Sequence, residues 1–156
     1  MKYFPIVITP FLVTETLDLL RKAGERHLES VVLWLGRRTE DRISVTEPYV
    51  PAHTADCDYF RIPSHAISDL LSHLTTTGTF VAAQVHTHPK EAFHSRPDDK
   101  WAIVRHEGAL SLVVPYFARK TEANNFLDRI AAFRLNSGNI WEELSPQDRE
   151  SLIQIT

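Results

Sequence analysis

Residues 86–98 carry the side chains with the clearest capacity for chemistry in this chain. His86 and His88 follow the apolar run from Phe80 to Val85, which predicts a buried strand. Because residues i and i+2 of a strand point to the same face, the two imidazoles are expected side by side at the strand's end. Asp98, ten residues after His88, offers a carboxylate. Two neutral imidazoles and one carboxylate form a zinc ligand set that leaves a fourth position for water, as in catalytic sites.

A bare His-x-His sequence, taken alone, is more typical of two hydrogen-bonded histidines near a strand end. Here the two histidines are followed by Pro89, Ser95 and Asp98. This longer pattern resembles the signature of the JAB/MPN (JAMM) zinc metalloprotease family, which has a distant Glu, then His-x-His-Pro, a short loop and Ser-x-x-Asp. The resemblance implies that His86, His88 and Asp98 are the metal ligands.

The distant glutamate of that signature should precede an apolar strand that ends in glycine. Glu29 lies just before the apolar residues 31–35, and Gly36 follows them. The resemblance implies that Glu29 is the general base, which takes a proton from water and passes it to the leaving amine. Glu25 is a local competitor for this role.

The resemblance also implies that Ser95 donates its hydroxyl to the oxyanion of the tetrahedral intermediate. Ser95 equally suits a helix N-cap, and the two roles are compatible. The loop from His88 to Ser95 is one residue shorter than in most of the family. If the Ser-x-x-Asp spacing of the family is kept, the third metal ligand is Asp98, which we prefer. If the family's distance from the histidine to the aspartate is kept, the third ligand is Asp99. Thr87 points to the other strand face, so we assign it no catalytic role.

Members of this family cleave peptide or isopeptide bonds at the C-terminus of ubiquitin or ubiquitin-like proteins. The resemblance therefore implies Zn²⁺ as cofactor and a ubiquitin-like protein or its conjugate as substrate and partner, as in standalone bacterial and archaeal versions. The alternative is a catalytically silent JAB/MPN scaffold or interaction module. A cluster of Arg37, Arg38 and Arg42 could meet an acidic modifier face, although a solvated basic turn is the commoner explanation.

Other hydrolase classes fit the sequence less well. A zinc nucleobase deaminase needs a Cys-x-x-Cys pair, but Cys57 is the only cysteine. A serine hydrolase built on Ser95 and His94 would need a nucleophile elbow with flanking glycines, which the sequence lacks.

Length, charge and cysteine content predict the number of domains, the kind of partner and the cellular compartment. The 156 residues predict one domain, 1–156, and the net charge of −3 argues against nucleic acid as a partner. The lone Cys57 excludes an internal disulfide and fits a reducing compartment, so we expect a cytoplasmic protein. We find no signal peptide and no apolar run long enough for a membrane span. Composition does not predict the oligomeric state.

Hydrophobic periodicity and turn residues predict an α/β domain with a mixed, mostly antiparallel sheet flanked by helices, as the resemblance also implies. Residues 4–12 are expected to be extended, and Thr14 to cap the first helix. The predicted helices are 15–27, 64–76 and 97–106, with one further helical turn in the C-terminal tail. The predicted strands are 31–35, 42–47, 80–86, 110–114, 129–135 and 139–144, with an edge segment in the tail.

Overall fold

The chain builds one mixed sheet of eight strands. The computed structural model describes residues 3–52, 54–55, 60–93 and 103–156. The strands of the sheet are β1 Ile6–Ile8, β2 Val31–Arg38, β3 Ile43–Tyr49, β6 Phe80–Thr87, β7 Leu110–Val114, β8 Ala131–Leu135, β9 Trp141–Glu143 and β10 Ile153–Ile155; a separate pair is β4 Thr54–Ala55 with β5 Phe60–Arg61. The order in the sheet is β10-β1-β3-β2-β6-β7-β8-β9. Four of its seven neighbouring pairs are antiparallel, which confirms the expected mixed sheet.

Helices cover both faces of this sheet. They are α1 Pro10–Gly24, α2 Ser64–Thr77, α3 Phe126–Arg129 and α4 Pro146–Leu152, with short 3₁₀ turns at Tyr116–Ala118 and Ala123–Asn125. The apolar side of α1 packs with Val32 and Trp34, whereas that of α2 packs with Val31 and Leu33. Because neighbouring strand residues point in opposite directions, α1 and α2 lie on opposite faces. The expected α/β class is therefore confirmed. Among the described residues, no helix is long and apolar enough to cross a bilayer.

The central strand β2 is buried on both faces, as its uninterrupted apolar sequence predicts. Residues 31–35 are completely inaccessible to solvent. Trp34 is a core residue: its indole nitrogen donates to the Thr16 hydroxyl at 2.9 Å, and its ring lies 5.7 Å from that of Phe126. The hydrogen bond satisfies the one polar atom that a buried indole brings into a core.

Two helix predictions were wrong in their bounds. The first helix begins at Pro10, because the Thr9 hydroxyl, not that of Thr14, accepts the amide of Leu12 at 3.2 Å. A helix start at proline is favourable, since proline has no amide hydrogen to leave unpaired. The third predicted helix does not reach residue 106, because residues 103–106 are not helical. The Ile103 amide instead donates to the side chain of Gln84 at 3.1 Å. Residues 97–102 lie outside the described part of the chain.

The C-terminal third follows the sequence prediction closely. Strands β8 and β9, close to the predicted strands 129–135 and 139–144, pair as an antiparallel hairpin, and the Asn136 side chain closes its turn by accepting the amides of Gly138 and Ile140. Helix α4 begins after the Ser145 cap. Strand β10 then pairs with β1 at the sheet edge.

Gly36 is required where β2 shifts register against β3. A Cβ atom at this position would lie 2.5 Å from the backbone oxygen of Ser44. We expect Gly36→Ala to lower the free energy of unfolding by about 2 kcal/mol, because a backbone atom in a paired strand cannot move aside cheaply. Gly138→Ala, in an exposed turn, is the matched control and should change it by less than about 0.5 kcal/mol. Urea titration of both variants measures the difference, and equal midpoints would contradict the prediction.

Candidate metal centre

The pairing of β2 with β6 brings two distant segments together at one end of the sheet. The two strands are antiparallel, with Val31 opposite His86. Continuing this register by two residues places Glu29, just before β2, opposite His88, just after β6. A parallel neighbour, β7, supports β6 on its other side.

Three titratable side chains meet at this strand end, all of them buried. Glu29, His86 and His88 have exposed fractions of 1%, 0% and 2%. A carboxylate oxygen of Glu29 lies 3.9 Å from Nε2 of His88. The centroids of the two imidazole rings are 5.3 Å apart, with an angle of 52° between their planes. The juxtaposition expected from the sequence is therefore present for these three residues.

The distance between the two rings fits a shared metal ion. With Zn–N bonds of about 2.1 Å and tetrahedral geometry, two imidazole centroids bound to one ion would lie roughly 5 Å apart. Neutral imidazole is also a preferred ligand of zinc. Within the described ranges, no three His, Cys, Asp or Glu side chains are arranged to hold an ion together. Glu29 thus lies next to the two histidines, but the three side chains together do not have the arrangement of a metal-ligand set.

The other predicted site residues lie outside the described part of the chain. They are Ser95 and both candidates for the third ligand, Asp98 and Asp99. Their assignments stay predictions, as does any role of the neighbouring His94.

The backbone of the His88 segment is held from the β7 side. The amide of His88 donates to the carbonyl oxygen of Val114 at 3.0 Å. The carbonyl oxygen of His88 accepts the amide of Phe117 at 2.9 Å. The ring of Phe93 packs edge-on against the His88 imidazole, with centroids 4.5 Å apart. These contacts hold both the main chain and the side chain of His88, which favours a preorganised site.

The turn that holds His88 is itself strained. Tyr116, Phe117 and Ala118 have φ angles of 54°, 52° and 61°, and a left-handed conformation costs a non-glycine residue about 1 kcal/mol or more. Arg21 of α1 supports the turn by donating to the carbonyl oxygen of Ala118 at 3.0 Å. Helix α1 also approaches it closely, since a Cβ atom on Gly24 would lie 2.6 Å from Cβ of Phe117. Backbone strain of this kind persists where surrounding contacts determine the structure, often beside functional sites.

Gln84 is a buried polar residue that sequence reasoning missed. It precedes His86 by two residues on β6, so both side chains lie on the same face. Its amide nitrogen donates to the Ser111 hydroxyl at 3.0 Å, and its oxygen accepts the Ile103 amide. Gln84 and Ser111 are fully inaccessible to solvent. The signal available in the sequence was Gln84 itself, a polar residue in an otherwise apolar strand, two positions before His86.

The basic cluster suggested by the sequence lies away from this centre. Arg37 and Arg38 end β2, roughly 26 to 30 Å along the strand from Glu29 at about 3.3 Å per residue. Arg37 donates to the carbonyl oxygen of Thr77, and Arg38 stacks on the ring of Phe4. Arg42 pairs with Asp41, and this guanidinium holds the pKa of the Asp41 carboxyl below its usual value. Each arginine thus has a local contact.

The fold and the buried cluster together define an α/β protein with a candidate metal centre at the end of its central strands. No protein-family profile matches the chain. The chain is 34% identical over 141 residues to "Probable metalloprotease y4jG" of Sinorhizobium fredii (strain NBRC 101917 / NGR234), and the match covers 88% of this chain and 85% of that protein. The chain therefore belongs to the same family as this probable metalloprotease.

A solved structure shares the fold. The solution structure of protein DSY2949 from Desulfitobacterium hafniense superposes with a TM-score of 0.70 at 18% sequence identity. The match covers 97% of this chain and 92% of that one. At this level of identity the likeness concerns the architecture alone.

Proposed function

We propose that this protein is a zinc-dependent peptidase or isopeptidase of the JAB/MPN type, which hydrolyses the bond after the C-terminus of a ubiquitin-like protein. The observation that carries the proposal is the buried Glu29 carboxylate 3.9 Å from Nε2 of His88, beside His86. Burying an acid and two imidazoles costs free energy, and proteins usually retain such a cluster for chemistry. The relationship to a probable metalloprotease supports the same class of reaction.

In the proposed site, His86, His88 and Asp98 hold the zinc ion. When bound, zinc would lower the pKa of a coordinated water toward about 7 and polarise the scissile carbonyl. The strand β6 orients both imidazoles, and the hydrogen bonds to the main chain of His88 fix one of them. The low exposure of His86 and His88 would shield both imidazoles from bulk water.

Glu29 is proposed to move the proton. A carboxylate oxygen of Glu29 would accept a proton from the attacking water and pass it to the nitrogen of the leaving group. This role is supported by the distance of 3.9 Å between a carboxylate oxygen of Glu29 and Nε2 of His88, one of the proposed ligands. Ser95 would donate its hydroxyl to the oxyanion of the tetrahedral intermediate. The reaction forms no covalent link between the enzyme and its substrate.

The proposed substrate is a ubiquitin-like protein or its conjugate in the cytoplasm. An extended C-terminal tail can add to a sheet through main-chain hydrogen bonds and deliver its last peptide bond to the site. Residues 37–62 and 115–128 are short beside the inserted loops with which eukaryotic deubiquitinating members choose a ubiquitin linkage, which favours recognition of one modifier tail over a particular chain linkage. Nucleic acid is not a proposed partner, since the net charge is −3.

Cleavage of a defined fusion tests the proposal. A ubiquitin-like protein with a reporter peptide on its C-terminus is the substrate, and the same reporter on an unrelated domain is the control. We expect cleavage of the first fusion alone, a fall of about tenfold or more after phenanthroline treatment, and recovery with added zinc. Cleavage that survives removal of all metal would overturn the zinc mechanism. Binding of the modifier without cleavage would instead support the silent scaffold.

A further inference from the structure

Thr87 lies between the two histidines, on the strand face away from them. This residue is completely buried. Its hydroxyl oxygen accepts the amide of Ser30 at 3.2 Å, and its own amide donates to the carbonyl oxygen of Ser30 at 3.1 Å. In a regular antiparallel rung, the carbonyl oxygen of residue 87 would accept the Ser30 amide. Here the hydroxyl is the acceptor, so a side chain completes the last rung between the two segments.

We infer that Thr87 is a positioning residue for the general base, an assignment that rests on the proposed function. Ser30 is the residue directly after Glu29, and Thr87 directly precedes His88. The two hydrogen bonds between Ser30 and Thr87 therefore fix the distance between the segments that carry the acid and the imidazole. We call this pair of hydrogen bonds the Ser30–Thr87 clasp.

The clasp bears directly on Glu29, because Ser30 is its neighbour in the chain. The main chain of His88 has independent hydrogen bonds to Val114 and Phe117. Glu29 lies between the turn after α1 and the start of β2 at Val31, and the clasp is the hydrogen-bonded rung to β6 next to it. Loss of the hydroxyl should thus loosen the base while the histidines stay in place. Small displacements of a catalytic group lower the rate steeply.

Isosteric substitution tests this inference. Thr87→Val removes the hydroxyl and keeps the shape, whereas Thr87→Ser keeps the hydroxyl. We expect Thr87→Val to bind zinc stoichiometrically and to lower kcat about 10- to 100-fold with little change in KM. Thr87→Ser should stay within about threefold of the unmodified enzyme. An unchanged kcat in Thr87→Val, or an equal loss in both variants, would overturn the inference.

A matched control separates positioning from stability. Thr16 is also fully buried, and its hydroxyl is also hydrogen-bonded, to Leu12 and Trp34. Thr16→Val should lower the thermal midpoint without lowering kcat at temperatures where the protein is folded. If both valine variants lose kcat in proportion to their stability, Thr87 is merely structural.

A double-mutant cycle with Glu29→Gln tests whether Thr87 affects kcat through Glu29. If Thr87 acts through Glu29, adding Thr87→Val to Glu29→Gln should change the residual rate less than about twofold. Effects that multiply would overturn the inference.

Hydrogen exchange distinguishes a failure of the inference from a failure of the proposed function. If the unmodified protein shows no zinc-dependent hydrolysis, the proposed function is wrong by itself. Hydrogen exchange of the Ser30 amide then still tests whether the clasp forms in solution. It should be about tenfold faster in Thr87→Val, and unchanged in Thr87→Ser and Thr16→Val. Equal exchange in all four proteins would refute the clasp itself.

Discussion

Replacement of Glu29 by glutamine is expected to lower kcat by about 10³-fold and to leave zinc binding intact. Glutamine keeps the size of the buried side chain but accepts no proton, and a general base typically contributes a factor of about 10² to 10⁴. Glu29 is not among the proposed zinc ligands His86, His88 and Asp98, so its charge should not be needed to hold the ion. Single-turnover cleavage and metal analysis of the same sample measure the two quantities.

Glu25→Gln is the matched control for this substitution. Glu25 is exposed, lies four residues earlier in the chain and was the competing candidate for the base. We expect its loss to change kcat less than about twofold, because an exposed carboxylate on a turn has no route to the substrate. If Glu25→Gln is the inactive variant, or if Glu29→Gln turns over normally, the base has been assigned wrongly.

Replacement of His88 by alanine is expected to abolish both zinc binding and hydrolysis. With one imidazole removed, the ion loses a third of its proposed protein ligands, and a catalytic zinc site has only about three. The readouts are zinc per protein by elemental analysis and cleavage of the ubiquitin-like fusion. His86→Ala should behave in the same way, since the centroids of the two rings are only 5.3 Å apart.

An exposed histidine controls for general effects of the substitution. His65 lies on the surface of α2, so His65→Ala should keep both zinc and activity. The cavity left by His88→Ala also lowers stability, so His88→Gln, which fills more of the space, is measured with it by circular dichroism. Stoichiometric zinc in either folded His88 variant would remove His88 from the ligand set.

Much of the fold could be predicted because its strands obey local rules. The apolar run of β2 and the alternation around His86 and His88 require only the two-residue period of a strand. Gly78, with a φ of 65°, ends α2 as a glycine cap should. Glu29 could be placed near the histidines only through the resemblance, since no local pattern joins residues so far apart.

Other features depend on tertiary contacts that leave no local trace. Thr9 and Thr14 both suit a cap by residue type; Pro10 favours Thr9 as the residue before the helix, and the pairing of β1 with β3 and β10 agrees with this by ending the strand at Ile8. The left-handed residues at Tyr116–Ala118 are not glycine or asparagine, so nothing in the sequence marks them. Thr87 was dismissed because it faces away from the histidines, whereas its hydrogen bonds act on the neighbouring strand.

The pairing of β2 with β6 creates the candidate metal centre, so the centre can form only after these two strands have paired. Ser30 and Thr87 are 57 residues apart in the chain, and closing so long a loop costs entropy that only the completed sheet offsets. A nascent chain that has not yet paired β2 with β6 cannot bring Glu29 and His88 together. Under the proposed function, the incompletely folded protein would have no peptidase activity and could not cleave the proteins around it. The activity would appear only when the sheet is complete.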